Sequence, residues 1–157
     1  MLFRSLDDEW ALVECLLALH EHRAIRSAHD LANGGLAVAL AECAMDGIGC
    51  HVDLRGHADD LDAAALLFGE PQARAIVSTI RADEVLRIAR EHGTPAQRIG
   101  RTVAAAFVIE RNGTPLIRTN AAELARIWRS AFGLLLGGDS SEDVIRGVGE
   151  EAELIGH

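Results

Sequence analysis

The sequence predicts an α+β fold, in which helices pack on a mixed β-sheet. Segments with the period of a strand alternate with segments of helical period along most of the chain. Two later strands are instead joined directly through Asn112-Gly113, a dipeptide typical of a tight hairpin turn. Alternation alone would favour a parallel sheet, and the hairpin adds an antiparallel pair, so we expect the sheet to be mixed rather than doubly wound.

Composition places the chain among globular domains. It has 157 residues, of which 49% are hydrophobic and 25% are charged, and this is enough for one domain with its own core. The net charge of -9 argues against nucleic acid or an anionic membrane as the main partner. No apolar run approaches the roughly 20 residues that span a bilayer. Three acids at positions 7 to 9 do not fit a signal peptide, so a cytoplasmic protein is expected.

The first half of the chain is predicted to alternate helices with strands. Leucines at helical spacing predict the first helix, and small and apolar residues after Gly35 predict the second. Alternation of Cys50, Val52 and Leu54 with polar residues predicts a half-buried strand. The predicted elements are a helix over 6–20, a strand over 24–28, a helix over 36–45 and a strand over 48–54. Residues 55–65 are predicted to be a polar connection, either a solvated loop or the start of a helix.

The second half is predicted to add the hairpin and two more helices. Asp83 is predicted to cap one helix, and Asn120 with Glu123 to cap the last one. Pro115 indicates that the second hairpin strand lies at a sheet edge. Trp128 is predicted to be a core anchor. The predicted elements are a strand over 75–80, a helix over 84–91, a strand over 98–103, hairpin strands over 107–110 and 115–118, and a helix after 120.

We expect one domain over residues 1–136, followed by an acidic tail over residues 137–157. Gly137-Gly138 ends the last predicted helix, and from Asp139 to His157 there are six acids and one arginine. The tail is poor in large apolar side chains, so it is expected to form one short helix or to stay mobile. The three cysteines have no Cys-x-x-Cys spacing and are expected to be buried small hydrophobes.

The stretch from Ser27 to Leu36 carries the first functional signal. It ends an apolar run, passes through Asp30, turns on Gly34-Gly35 and leads into an apolar helix. Glycines let backbone N–H groups approach a ligand, and the first turn of a helix favours an anion. The pattern indicates either an anion site, with Asp30 near a nucleotide hydroxyl or a metal-bound phosphate, or only a tight strand-to-helix turn.

The second signal lies between Leu66 and Arg74. An apolar run ends in Gly69-Glu70, and Pro71 stiffens the turn that precedes the next strand. A carboxylate presented beside a glycine at the end of an element can hold Mg²⁺ together with substrate phosphates. Taken alone, this signal is weak, because a surface glutamate before a proline is common.

Both stretches resemble the phosphoribosylformylglycinamidine synthases, ATP-dependent enzymes that form an amidine in purine biosynthesis. The string HDLANGGLAVALAE, from His29 to Glu42, resembles the family's H-D-x-S-[DE]-G-G-L-A-V-A-L-A-E, although Ala32 replaces the usual serine and Asn33 the usual acid. The string LFGEPQAR, residues 67–74, resembles the family's L-F-[GS]-[EN]-x-x-[SQ]-R. The resemblance covers roughly residues 6 to 130. It implies the small C-terminal domain of the aminoimidazole ribonucleotide (AIR) synthetase superfamily, a mixed sheet with helices.

The resemblance also implies roles for four residues, none of them catalytic. Asp30 matches a nucleotide-contacting aspartate, and Gly69 matches a nucleotide-contacting backbone position. Glu70 falls where the family holds Mg²⁺, and Gln72 falls where a small polar residue contacts the substrate. The family's catalytic histidine and principal ATP lysine lie in its N-terminal half, and neither segment is in this sequence. The four residues are therefore expected to line one edge of a shared site.

The reaction that the resemblance implies defines the expected partners. ATP activates the amide of formylglycinamide ribonucleotide, and ammonia from a glutaminase then displaces phosphate to give the amidine. The expected ligands are ATP as substrate, Mg²⁺ as cofactor and the ribonucleotide. The expected protein partners are the remaining synthase domains, a glutaminase subunit or domain and, as a further candidate, a second copy of the chain.

Two functions remain open on the sequence. The chain is either a synthase domain that supplies nucleotide, magnesium and substrate contacts and is inactive alone, or a non-catalytic module for domain pairing or dimerisation. Ala32 and Asn33 favour the second function, because they replace two of the family's polar side chains. Asp30 together with Gly69-Glu70 favours the first.

Overall fold

The structure, a computed structural model, describes residues 6–56 and 61–135 of the chain. Helices and strands both occur and the four-stranded sheet is mixed, which confirms the predicted α+β class. The predicted acidic tail lies outside the described residues. The elements in chain order are α1 (Leu6–Glu21), β1 (Ser27–Asp30), α2 (Gly35–Ala44), β2 (Gly49–Asp53), α3 (Ala63–Phe68), β3 (Ala75–Ser78), α4 (Ala82–Glu91), β4 (Gly100–Val103), β5 (Ala106–Arg111), β6 (Thr114–Asn120) and α5 (Ala121–Leu135).

The chain divides into two compact units, and the first contains residues up to 39 and residues 64–98. Its strands β1 and β3 form a two-stranded antiparallel sheet, in which Ser27 lies opposite Ser78 and Asp30 opposite Ala75. Apolar side chains of α1, of the loop after it and of α4 form one buried cluster of this unit, because each helix turns one stripe inward. The buried residues of the cluster are Cys15, Leu19, Ala24, Val85, Ile88 and Ala89.

The second unit contains residues 40–63 and the chain from residue 99 onward. Its four strands follow the order β4-β2-β5-β6, with β2 and β5 parallel and the other two pairs antiparallel. The mixed sheet is therefore confirmed here, whereas β1 and β3 form a sheet of their own. Leu54, Phe107 and Ile109 have the most completely buried large side chains. Phe107 and Ile109 alternate with half-buried residues along β5, as the period of two requires.

The hairpin of β5 and β6 has the predicted turn. Asn112 and Gly113 both have positive φ, at 53° and 80°, as a type I′ turn requires. The strand β6 lies at the edge of the sheet. Pro115, which has no backbone N–H to donate, is therefore tolerated within it.

One local prediction is confirmed and another is wrong. The helix α3 begins at Ala63, within the segment 55–65 for which the sequence predicts a solvated loop or the start of a helix, and its run of three alanines and two leucines favours helix. Asp83 does not cap α4: the helix begins at Ala82 and has no side-chain cap at Arg81. The Arg81 N–H is instead bound by the Thr79 hydroxyl at 2.8 Å, and Asp83 is an acid in the first turn.

Two predictions about burial are also wrong. Trp128 is 56% exposed, because the inward face of α5 is formed by Ala121 and Ala125 near its start. Helical spacing shows which side chains share a face, but it does not show how far along a helix packing extends. Cys43 is exposed, whereas Cys15 and Cys50 are buried as predicted.

Replacement of Asn120 by alanine is expected to lower the free energy of unfolding by about 1 kcal/mol. The Asn120 side-chain oxygen accepts a hydrogen bond from the Glu123 N–H at 2.9 Å, which confirms the predicted cap of α5. Asn120→Asp keeps an acceptor at this position, and its free energy of unfolding should stay close to that of the wild type. Chemical denaturation measures both variants, and an equal loss in the two would contradict a role as cap.

The pH dependence of stability is expected to depend on Cys50. Burial raises the pKa of this thiol to about 11, and a hydrogen bond with the Val108 backbone opposes the shift. The folded state therefore favours the protonated thiol, which stabilises the fold below the ordinary pKa of 9.0 and ceases to do so as the pH rises to about 11. The difference between these values corresponds to about 3 kcal/mol.

The composition makes this effect measurable, since the chain contains neither lysine nor tyrosine to titrate in the same range. Burial also raises the pKa of Cys15 and of Cys43. Replacing one cysteine at a time therefore separates the contributions of the three thiols to the pH dependence of stability. The free energy of unfolding of the wild type should fall between pH 9 and 11. Most of the fall should be lost in Cys50→Ala but retained in Cys43→Ala, and an undiminished fall in Cys50→Ala would refute the assignment.

Candidate functional site

The two strands of the first unit bring the two sequence motifs together. Asp30 ends β1 and lies opposite Ala75, with which β3 begins. The Leu31 N–H extends this pairing by donating to the Arg74 carbonyl at 3.1 Å. Because the strands are antiparallel, the turn after β1 lies beside the turn before β3. Residues 32 to 45 positions apart in sequence therefore adjoin at one place.

The backbones of these two turns are in direct contact at Gly35. Gly34 and Gly35 both have positive φ, at 80° and 67°. A Cβ on Gly35 would lie 2.7 Å from the Gly69 carbonyl oxygen and 2.8 Å from the Phe68 carbonyl carbon. Gly35 is therefore required both for its backbone conformation and for the close approach. In this structure the approach that the Gly-Gly pair permits is to the second motif.

Glu70 joins the same two turns through its side chain. Its Oε1 accepts a hydrogen bond from the Gly34 N–H at 2.6 Å. Gly34 directly precedes α2, at the end of the helix where the dipole favours negative charge. The anion at this turn is therefore the chain's own carboxylate. No local pattern of residues predicts this contact, because only the pairing of β1 with β3 brings Glu70 to Gly34.

Asp30 presents its carboxylate to solvent. Its side chain is 77% exposed, and its Oδ1 lies 3.7 Å from the Nδ1 of His29. The same ring nitrogen lies 2.7 Å from the Asp30 carbonyl oxygen. This exposed carboxylate can accept hydrogen bonds from a ligand hydroxyl or contribute an oxygen to a cation.

Gly69 and Gln72 lie on the second turn. The Gly69 N–H donates to the Ala65 carbonyl at 3.0 Å and so ends α3, which leaves the Gly69 carbonyl as its other backbone polar group. Gln72 is exposed. The next residue, Ala73, has a φ of 56°, in the left-handed region that a residue with a Cβ rarely adopts. Such strain often occurs at functional sites, and no local sequence pattern predicts it here.

The carboxylates on the two adjoining turns can contribute oxygens to a cation. Within residues 6–56 and 61–135, no group of three or more histidine, cysteine, aspartate or glutamate residues is arranged to hold a metal ion. Mg²⁺ is usually held by one or two carboxylates together with substrate phosphates. Asp30 and Glu70 provide that number of carboxylates on the two adjoining turns.

Among the described residues, no helix is long and apolar enough to cross a membrane.

Curated relatives of the chain are subunits of one enzyme. This chain is 41% identical over 113 residues to "Phosphoribosylformylglycinamidine synthase subunit PurL" of Moorella thermoacetica, and the match covers 70% of this chain and 15% of the relative. It is 39% identical over 136 residues to the protein of the same name from Thermobifida fusca, covering 85% of this chain and 17% of the relative. The chain thus spans about a sixth of the length of these relatives.

Solved structures share the fold. "Structure of PurLQS from Thermotoga maritima" matches with a TM-score of 0.71 and 23% identity, covering 80% of this chain and 23% of that one. "T. maritima PurL complexed with FGAR" matches with a TM-score of 0.67 and 25% identity, covering 74% and 21%. The same protein complexed with ATP gives a TM-score of 0.66 and 24% identity, covering 73% and 21%.

One protein family matches most of the described chain. Its description is "AIR synthase related protein, C-terminal domain", and it matches residues 4–110. This range includes β1 to β4, both adjoining turns and all four residues singled out in the sequence. The chain therefore belongs to the family of AIR synthase related C-terminal domains.

Proposed function

We propose that this domain acts in an ATP-dependent phosphoribosylformylglycinamidine synthase, which converts an amide to an amidine in purine biosynthesis with glutamine-derived ammonia. The domain supplies nucleotide, magnesium and substrate contacts and is inactive alone. One observation carries the proposal: the Asp30 turn and the Gly69-Glu70 turn adjoin in the first unit. The names of the relatives, and the complexes of a structural neighbour with ATP and FGAR, support it.

Each of the four residues takes one role in this proposal. The exposed Asp30 carboxylate accepts a nucleotide hydroxyl, and the backbone of Gly69 contacts the nucleotide through its carbonyl. Glu70 contributes an oxygen to Mg²⁺, which neutralises phosphate charge when bound. Gln72 donates to or accepts from the amide substrate. No residue of this set is proposed as a nucleophile or general base, and the domain contributes by positioning and electrostatics.

The rest of the site comes from other protein in this proposal. The partners are the remaining domains of a synthase and a glutaminase subunit or domain, with formylglycinamide ribonucleotide as substrate, in the cytoplasm. The length of the relatives supports this division, since the chain spans only 15% to 17% of them. A second copy of the chain remains a further candidate partner.

A non-catalytic pairing module is the second candidate function, and one contact favours it. The Gly34 N–H is already bound by Glu70, so this amide is satisfied without any ligand. Ala32 has no hydroxyl and Asn33 has no negative charge, whereas the family pattern usually has a serine and an acid at these positions.

Titration calorimetry of ATP and ADP with Mg²⁺ decides between the two functions. The wild-type chain is expected to bind, and Asp30→Ala should weaken binding by about tenfold, as loss of one hydrogen bond to a charged group does. Asp46→Ala removes an exposed acid from the second unit and serves as the matched control. If the chain alone does not bind, the titration is repeated with a Thermobifida fusca PurL truncated before the matching region. Absence of binding in that mixture would refute the nucleotide role and favour the pairing module.

A further inference from the structure

We propose that Glu70 is a positioning residue, whose carboxylate holds the Gly34-Gly35 turn in place before any nucleotide arrives. The same contact closes the Gly34 amide to an incoming phosphate. This inference rests on the proposed function, because it treats the turn as one edge of the nucleotide site. It departs from the resemblance, which gives Glu70 only a role toward Mg²⁺.

The turn needs a tether because its own residues supply none. Two glycines in succession have the largest backbone freedom of any dipeptide, and both here adopt positive φ. The hydrogen bond from the Gly34 N–H to Glu70 is short, at 2.6 Å, and its acceptor is charged. It lies at the start of α2, where the helix dipole adds to the attraction. A single side chain of the second turn therefore fixes the first.

Packing completes the restraint on the other sides of the turn. A Cβ on Gly34 would lie 2.5 Å from Cγ2 of Val38, and a Cβ on Gly35 would meet the backbone of residues 67–69. The turn thus has α2 on one side, the end of α3 on another and the Glu70 carboxylate on its N–H. The Gly34 N–H is bound by Oε1 of Glu70, and the proposal assigns Oε2 to the cation.

In this inference the Glu70 carboxylate has two roles, to bind the Gly34 N–H and to bind Mg²⁺. The substitution Glu70→Gln distinguishes them. Glu70→Gln keeps an oxygen that accepts from Gly34 but loses the charge that Mg²⁺ needs. Glu70→Ala loses both. Glu70 is exposed, so neither change is expected to disturb the global fold, and local order at the turn is the quantity to follow.

The experiment combines hydrogen exchange of the Gly34 amide, measured by NMR, with titration of the ATP analogue AMPPCP in the presence and absence of Mg²⁺. In Glu70→Ala the Gly34 amide should exchange about tenfold faster or more, and AMPPCP should bind more weakly under both conditions. Glu70→Gln should restore protection of Gly34 and metal-free affinity but not the gain from Mg²⁺. Glu91→Ala, which removes an exposed ion-paired glutamate of α4, is the matched control.

The outcomes are separable. Exchange at Gly34 that is unchanged in Glu70→Ala, or equally fast in Glu70→Gln, overturns the positioning role. A Gly34 resonance that shifts on addition of inorganic phosphate to the wild type overturns the closed amide. Metal-free affinity that is unchanged in Glu70→Ala, with loss only of the gain from Mg²⁺, reduces Glu70 to a metal ligand and also overturns the inference. If the wild type binds no AMPPCP either alone or with the truncated synthase, the proposed function fails, whereas the exchange series still decides whether Glu70 holds the turn.

Discussion

Gly35→Ala is expected to lower the free energy of unfolding by about 3 to 5 kcal/mol and to abolish any nucleotide binding at the adjoining turns. Two costs add at this position. A residue with a Cβ must adopt a φ of 67°, and that Cβ must fit within 2.7 to 2.9 Å of three backbone atoms of residues 67–69. Backbone atoms cannot move aside as the end of a side chain can, so the two turns must separate.

Gly93→Ala provides the matched control for this prediction. Gly93 lies in the same unit and has nearly the same φ, 65°, but a Cβ there would have nothing within 4 Å. In this variant the free energy of unfolding should fall only by the conformational cost of a positive φ, about 1 to 2 kcal/mol. Thermal or urea unfolding of both variants measures the difference, which belongs to the contact between the turns. Equal losses in the two would show that Gly35 is required only for its φ.

The site could be anticipated in its parts but not in its assembly. The Gly-Gly turn and the Gly69-Glu70 turn both stand out in the sequence, because glycine and proline restrict local geometry in recognisable ways. The contact of Glu70 with Gly34 could not be anticipated, since it depends on the pairing of Asp30 with Ala75 across 45 positions. The strained φ of Ala73 likewise has no local signal, because it is imposed by the surrounding structure.

The fold was predictable where local chemistry decides it. The hairpin at Asn112-Gly113 and the cap at Asn120 depend on neighbouring residues, and both are confirmed. The division of strands between two sheets depends instead on which strands pair, and strand periodicity does not specify a partner. Exposure of Trp128 has the same origin, because burial depends on what lies opposite a helix face.

Phe107→Ala is expected to lower the free energy of unfolding by about 3 to 5 kcal/mol, the largest effect of a side-chain truncation in the second unit. Phe107 is 1% exposed and lies on β5, an inner strand of the four-stranded sheet. Its removal leaves a cavity against one face of the sheet, and β5 is hydrogen-bonded to a strand on each side, so its backbone has little freedom to move and close the cavity.

Phe68→Ala is the control, because it removes the same side chain from a position that is 51% exposed. Its loss should be well below half of that for Phe107, since exposed apolar area contributes little when it is deleted. Urea denaturation of both variants gives the comparison, with one common value for the dependence of the free energy of unfolding on urea concentration. A loss below about 1 kcal/mol for Phe107→Ala would mean that the second unit can relax around the cavity. The core of the four-stranded sheet would then not depend on the close packing of Phe107, Leu54 and Ile109.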